Sequence, residues 1–275
     1  MNNRKLAECL SKLDKGVIYD SYKTETALIG MAGVTEIAER MESLMFPSLY
    51  PLPGEAGADR ERVISELFLF LKESLSFSCD AGSERSMTEL AEEILLSLPA
   101  VKEKLIKDAI AIYKGDPAAR SVYEIILCYP GFFAIMSYRL ARLFYIRGIP
   151  YLPRMMTERA HRMTGIDIHP GAKIGESFCI DHGTGVVIGE TATIGDRVKI
   201  YQGVTIGAKS FESDSDGGLI KGKKRHPDIG DDCIIYAGAT ILGGDTVIGN
   251  GAIIGGNVWL THSVPAGERV YFNEK

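Results

Sequence analysis

A chain of 275 residues with 45% apolar and 24% charged side chains is long enough to bury a substantial core in one large domain or two modest ones. A formal net charge of -5, with acids and bases interspersed, excludes the basic footprint of a nucleic-acid-binding protein. No apolar stretch approaches the ~20 residues of a bilayer span and the opening MNNRKLAECLSKLDKG lacks the apolar run of a secretion signal, so a cytoplasmic protein without membrane contact is expected.

From the N-terminus to about Gly165 apolar residues recur at three and four, which predicts an all-α region. Helices are expected over 24–45, 59–76, 86–97, 101–113, 131–147 and 153–164. PSLYPLPGEAG after the first of these reads as a linker, Pro117 sits where it can open a helix after Asp116, and Pro130-Gly131 breaks the chain before the next one. Five scattered cysteines (Cys9, Cys79, Cys128, Cys179, Cys233) form no CxxC pair, suggest neither disulfides nor a zinc knuckle, and read as small buried hydrophobes.

Beyond Gly165 the period becomes six. Aliphatic residues fall at Ile168, Ile174, Ile180 and Val186, then, after a slip of two, at Ile188, Ile194, Ile200 and Ile206, and again at Ile229, Ile235, Ile241, Val247, Ile253 and Trp259. Neither a helix nor a single strand uses a period of six. A left-handed parallel β-helix does, because each six-residue side of a triangular coil points an aliphatic residue inward. Glycines after the inward residue (Gly175, Gly189, Gly195, Gly207, Gly230) suit tight packing there. The expected fold class is therefore α+β: a helical domain over 1–165, a left-handed β-helix over 166–265 and a short tail over 266–275. Between Ile206 and Ile229 the chain carries 17 residues more than one side of the coil, rich in Gly, Ser, Asp and Lys, and must leave the coil as a long loop.

The segments Gly165-Ile-Asp-Ile-His-Pro170, Asp181-His-Gly-Thr-Gly185, Gly189-Glu-Thr-Ala192, Arg225-His-Pro227, Gly115-Asp-Pro-Ala-Ala-Arg120 and Tyr129-Pro-Gly-Phe132 resemble, taken together, the serine acetyltransferases among the hexapeptide-repeat acyltransferases. The resemblance runs from about Asp108 to about Val264. It implies transfer of acetyl from acetyl-coenzyme A to the hydroxyl of L-serine, the first step of cysteine biosynthesis, with no metal. It places the catalytic base at His182, in the segment where the coil slips, with Asp167 as the carboxylate that holds its tautomer. Asp116 and Asp181 match carboxylates that face the serine ammonium, and Arg225 and His226 match the pair that faces its carboxylate. Gly207, Ala208, Ala237 and Gly255 are expected where the cofactor's arm approaches the backbone, with a backbone N–H near Gly207 and Ala208 receiving the oxyanion. Lys221, Lys223 and Lys224 belong either to a solvated loop or to the cofactor's phosphates, and Cys179 packs rather than reacts.

The resemblance also implies a trimer whose groove is shared between copies, or a dimer of trimers, with L-cysteine as a possible inhibitor. A tail-mediated complex with cysteine synthase is doubtful, because that complex uses a terminal isoleucine and this sequence ends in Lys275. The tail is expected instead to pack on its own β-helix through Val270, Tyr271 and Phe272. Two rival readings remain open. One is acetylation of another small hydroxyl acceptor, and the other a zinc enzyme of the gamma-carbonic-anhydrase kind using His169, His182 and His226.

Overall fold

The computed structural model describes residues 30–52, 60–78, 86–210 and 217–272. Within these, six helices precede the first strand: α1 (Met31–Met45), α2 (Arg60–Ser78), α3 (Met87–Gly115), α4 (Val122–Cys128), α5 (Pro130–Tyr145) and α6 (Leu152–Thr164). Ser86 starts α3 through a capping box, its hydroxyl accepting from the Glu89 N–H while the Glu89 carboxylate accepts from the Ser86 N–H. The sequence reading divided this helix in two around Pro99; the structure runs it unbroken for 29 residues. Proline in a helix interior costs about 3 kcal/mol. The stripe Leu90, Ile94, Leu98, Val101, Leu105 and Ile112 is buried on both sides of Pro99, and that continuous burial outweighs the cost.

Three other expectations in this region need correction. Pro117 opens no helix: Asp116 terminates α3 and Pro117 lies in a turn, after which α4, unforeseen, starts from the Ser121 hydroxyl accepting from Glu124 N–H. The 47–57 linker is packed in its first part, with Leu49, Tyr50 and Leu52 against the core and the Tyr50 hydroxyl donating to the Ile126 carbonyl at 2.6 Å; residues from 53 on lie outside the described ones. Cys179 and Cys233 are buried as expected but Cys128 is exposed, and Cys9 and Cys79 lie outside the described residues.

Fourteen short strands follow and stack into three parallel sheets, the faces of a left-handed β-helix. Face one holds β1 (Asp167–Ile168), β4 (Val187–Ile188), β7 (Thr205–Gly207), β10 (Thr240–Leu242) and β13 (Trp259–Leu260). Face two holds β2 (Lys173–Ile174), β5 (Thr193–Ile194), β8 (Asp228–Ile229) and β11 (Val247–Ile248). Face three holds β3 (Cys179–Asp181), β6 (Lys199–Tyr201), β9 (Ile234–Ile235), β12 (Ile253–Ile254) and β14 (Arg269–Val270). The in-register pairing Ile168 to Ile188 to Ile206 to Ile241 shows why the period is six: each face contributes one aliphatic rung per coil. Residues two positions earlier, such as Ala172, Ala192, Ala239 and Ala252, are buried as well and small enough for the corner.

After Ile241 the register differs from the sequence reading. Ile248, Ile254 and Leu260 point inward, while Val247 is 48% and Trp259 68% exposed and Ile253 is half-buried. Both members of each pair are apolar, so periodicity alone cannot choose between them. One extra residue at the corner containing Gly243 and Gly244 shifts the rungs by one. The last strand, β14, pairs with β12 and Val270 packs against the core, but Tyr271 and Phe272 are exposed, contrary to the expected packing of all three.

The first coil leaves one edge of each sheet without a strand partner, and an open edge must be covered. Helix α5 covers it with polar side chains. Arg142 donates to the carbonyls of Pro170, Gly171 and Ala172, the Tyr138 hydroxyl to Ala172, and Arg139 to Ile174 and Gly175. The same Arg139 binds Asp108 of α3 through two N–H groups at 2.5 and 2.8 Å, and Asp108 also accepts the Phe178 N–H. One buried ion pair thus ties α3, α5 and the first coil together.

Candidate active site

His182 stands at the corner between faces three and one, where two extra residues cause the slip in the hexapeptide period. Its φ of 56° is left-handed, as are those of Gly183 and Gly185 in the same loop. Gly183 is required there, since a Cβ would lie 2.5 Å from the Ile166 side chain. The loop is pinned by the Gly185 N–H donating to the Gly165 carbonyl, and the His182 side chain is left 75% exposed. Left-handed backbone alone is no mark of function here, because Ser177, Arg197 and Asp232 adopt it in a stack at another corner.

Around this corner the chain gathers carboxylates. His182 Nε2 is 4.0 Å from Asp181 Oδ1, and Asp181 Oδ2 is 2.9 Å from Lys199 Nζ. Asp116, brought in by the end of α3, accepts from the Tyr129 hydroxyl at 2.6 Å and the Ala118 N–H at 2.8 Å. The Tyr129 bond is the main reason its carboxyl lies below the usual range, with Lys199 and His182 adding to the effect. Cys179 is buried beside them and burial pushes its thiol up to about 12, as packing rather than nucleophilic chemistry requires.

Asp167 is placed differently from its expected partnership. No hydrogen bond joins it to His182 within the described residues; its Oδ1 is 3.5 Å from Arg154 of α6, whose guanidinium also holds Glu158 at 2.5 Å. Asp167, Glu158 and His161 bring ligand-type atoms within 4.8 Å of one another, but Arg154 already supplies the counter-charge.

A second cluster occupies the opposite edge of face one, at the corner with face two. Arg225 donates to Glu190 at 2.6 Å, and Glu190 also accepts from Tyr145 at 3.0 Å. His226 is 7% exposed; its Nδ1 accepts from the Thr191 N–H and lies 2.8 Å from the Thr191 hydroxyl. Gly189 makes room for this ring, since a Cβ there would sit 2.1 Å from His226 Nε2. Burial foremost, then the Arg225 charge, pushes the His226 imidazole from 6.5 down to about 4. The unfolded chain therefore takes up this proton first, so the stability from neutral His226 is complete above about 6.5 and is lost as the pH falls toward about 4. Denaturant melts at pH 7 and pH 5 should show that loss, and His226→Gln should flatten it.

His169, half-buried against Tyr145 and accepting from the Gly171 N–H at 3.0 Å, belongs to this second cluster. Within one chain His169 and His226 thus lie at one edge of face one and His182 at the other, so the three do not converge on one point. The cofactor-approach positions divide in the same way. Gly207 ends β7 and is followed by Ala208 on the side of His226, whereas Ala237 and Gly255 follow β9 and β12 on the side of His182. A cleft of about 570 Å³ beside the second cluster is lined by Lys209, Lys223, Lys224 and Arg225 together with Gly243 and Gly244. Lys221 is exposed and does not line it, and Lys224 is held by Asp228 and the Thr191 carbonyl. Sequence reasoning assigned no role to Lys199, Tyr129, Glu190 or Thr191. The 20-residue step that pairs Cys179 with Lys199 and Asp181 with Tyr201 was the available signal for the first of them.

A three-sided β-helix of hexapeptide coils, capped by a helical domain and bearing polar clusters at its corners, defines the class of hexapeptide-repeat acyltransferases. Residues 61–137 match the family described as serine acetyltransferase, N-terminal. The plasmid serine acetyltransferase of Synechococcus elongatus is 61% identical over 180 residues, 66% of this chain and 56% of that protein. The Bacillus subtilis serine acetyltransferase is 47% identical over 58% of this chain and 70% of that protein. The crystal structure of Entamoeba histolytica serine acetyltransferase 1 in complex with L-cysteine superposes with a TM-score of 0.75 at 40% identity, covering 86% of both chains. The chain belongs to the serine acetyltransferase family. Its match spans little more than half the length of the Synechococcus protein. No helix among the described residues is long and apolar enough to cross a membrane.

Proposed function

We propose that this protein is a serine O-acetyltransferase whose site is completed between two copies of the chain. The observation that carries this reading is the separation of the two clusters. Asp116, Asp181 and His182 lie at one edge of face one, and Arg225 and His226 at the other. A single serine cannot span a face, but the first edge of one copy can meet the second edge of its neighbour, and repeating that contact around a threefold axis closes a trimer. Asp116 and Asp181 then accept the serine ammonium, and Arg225, fixed by Glu190, donates to its carboxylate with neutral His226 beside it.

In the reaction the serine hydroxyl oxygen attacks the thioester carbonyl carbon of acetyl-coenzyme A. His182 takes the hydroxyl proton as the C–O bond forms and returns it to the coenzyme thiolate as the C–S bond breaks. Asp167, on β1 next to Val187, orients the imidazole when substrate closes the corner. The exposed edge of face one supports a cofactor path past Ala237 and Gly255 on one copy and Gly207 and Ala208 on the other, with a backbone N–H near Gly207 and Ala208 receiving the oxyanion. Lys209, Lys223 and Lys224 around the cleft face the cofactor's phosphates. L-Cysteine differs from serine by one atom and enters the same site as a competitor, in keeping with the cysteine-bound relative.

Thiol release from acetyl-coenzyme A, followed across L-serine, L-homoserine, L-threonine and simple sugars, tests the reading. Turnover with serine well above the others is expected, and equal or greater turnover with a sugar would overturn it. Asp116→Ala and Arg225→Ala should each raise the serine KM by roughly tenfold or more, as loss of a charged hydrogen bond does, and leave the acetyl-coenzyme A KM little changed. If Arg225→Ala instead raises only the cofactor KM, Arg225 belongs to the phosphate cleft.

A further inference from the structure

Lys199 is the first residue of β6 and points outward from face three, yet its side chain is only 17% exposed. Its ammonium donates to the Gly115 carbonyl at 2.7 Å, lies 2.9 Å from Asp181 Oδ2 and sits 4.5 Å from the centre of the Tyr201 ring. Gly115 ends α3 and immediately precedes Asp116, whereas Asp181 immediately precedes His182. One ammonium therefore binds the Asp181 carboxylate of the β-helix and the carbonyl one residue before Asp116 of the helical domain, and so ties together the two segments that supply the carboxylates of the proposed ammonium subsite.

We propose that Lys199 is the positioning residue that assembles this subsite and sets its net charge, so that it accepts a single cationic group beside His182. The proposal rests on the serine acetyltransferase reading. Two carboxylates facing one small cavity would repel each other, raise their own proton affinity and draw a proton onto the neighbouring imidazole. With Lys199 among them, the trio carries one negative charge, which one substrate ammonium neutralises. The Gly115 carbonyl is at the negative end of a 29-residue helix, an orphan acceptor for which a cation is the favoured partner. The charged and titratable groups around the Lys199 side chain are Asp181 and Cys179 from β3, Tyr201 from its own strand, Lys107, Lys114 and Asp116 from α3 and its end, and Arg197 from the preceding corner. Burial opposes the charge on Lys199, but the bonds to Tyr201 and Asp181 outweigh it and raise the pKa, so the residue stays cationic wherever His182 works.

The test compares Lys199→Met, Lys199→Gln and Lys199→Arg with the parent enzyme in full pH profiles of kcat/KM for serine. Lys199 is the counter-charge of Asp181, whose carboxylate is 4.0 Å from His182, so its removal leaves more negative charge near the base and the acidic limb, which reports loss of the neutral base, should move upward in Met and Gln. The serine KM should rise roughly tenfold in both, the acetyl-coenzyme A KM should stay unchanged, and Arg should restore the limb. A purely structural lysine would lower kcat at every pH alike and leave the limb in place, and that result in Gln overturns the proposal even if Met does not fold. Absence of serine turnover in the parent enzyme would instead refute the reading beneath it.

Discussion

His182→Ala is expected to lower serine-dependent thiol release by roughly 10²–10⁴-fold, the usual loss on removing a general base, without disturbing the fold. The imidazole is 75% exposed and its closest charged neighbour is Asp181 at 4.0 Å, so its removal opens no cavity. The substitution leaves a non-glycine residue at φ 56°, and His182→Asn, whose side chain tolerates this region, provides a variant with the backbone preference kept. Both variants should melt within a few degrees of the parent. Asp167→Asn then separates two arrangements. If Asp167 orients the imidazole in the assembled enzyme, the variant should lose activity and keep its KM values. If Asp167 serves only the Arg154 ion pair seen in the single chain, turnover should stay near that of the parent. Parent-like turnover in His182→Ala would end the proposed mechanism.

The β-helix was legible because its rule is strict: one aliphatic rung per face per coil, sustained through Ile168 to Ile206. It failed where the rule was degenerate, at Val247-Ile248, Ile253-Ile254 and Trp259-Leu260, where either residue could fill the rung and the corner at Gly243-Gly244 decides. The slip at His182 marked a distorted corner, and the structure shows a corner enlarged by glycines with positive φ. The helices expected over 86–97 and 101–113 are one, because burial that only the three-dimensional neighbours supply carries α3 through Pro99. Lys199 was passed over for a related reason, although the 20-residue step already set it beside Cys179. A lysine at an outward strand position looks like a solvated charge until α3 places the Gly115 carbonyl and Asp116 over it. The division of the site residues between two edges of one face likewise emerges only once the positions of β3, β4 and β8 on their faces are known.

Arg139→Met should destabilise the protein by about 3–5 kcal/mol, the cost of stranding one partner of a buried ion pair. Asp108 is fully buried, and besides the Phe178 N–H its oxygens face the two Arg139 N–H groups, so methionine leaves an uncompensated carboxylate between α3 and the first coil. It also leaves the Gly175 carbonyl without its 2.6 Å bond from the guanidinium. The pair works against burial: desolvation pushes the Asp108 carboxyl above its ordinary value, while Arg139 and the Phe178 N–H pull it down. Without Arg139 only the Phe178 N–H and the Lys104 charge are left against desolvation, so the carboxyl in the folded variant rises further and takes a proton. A folded pKa above the unfolded one makes stability greatest below the unfolded value and lost as the pH rises through the folded value. Denaturant melts of Arg139→Met should therefore show the deficit shrinking at acidic pH and widening toward neutrality, a trend the parent should show far less. The double variant Arg139→Met with Asp108→Leu removes both charges and should regain part of the loss at neutral pH. A deficit in Arg139→Met that is flat across pH and undiminished in the double variant would mean that the carbonyls of the first coil, rather than the buried pair, are what Arg139 stabilises.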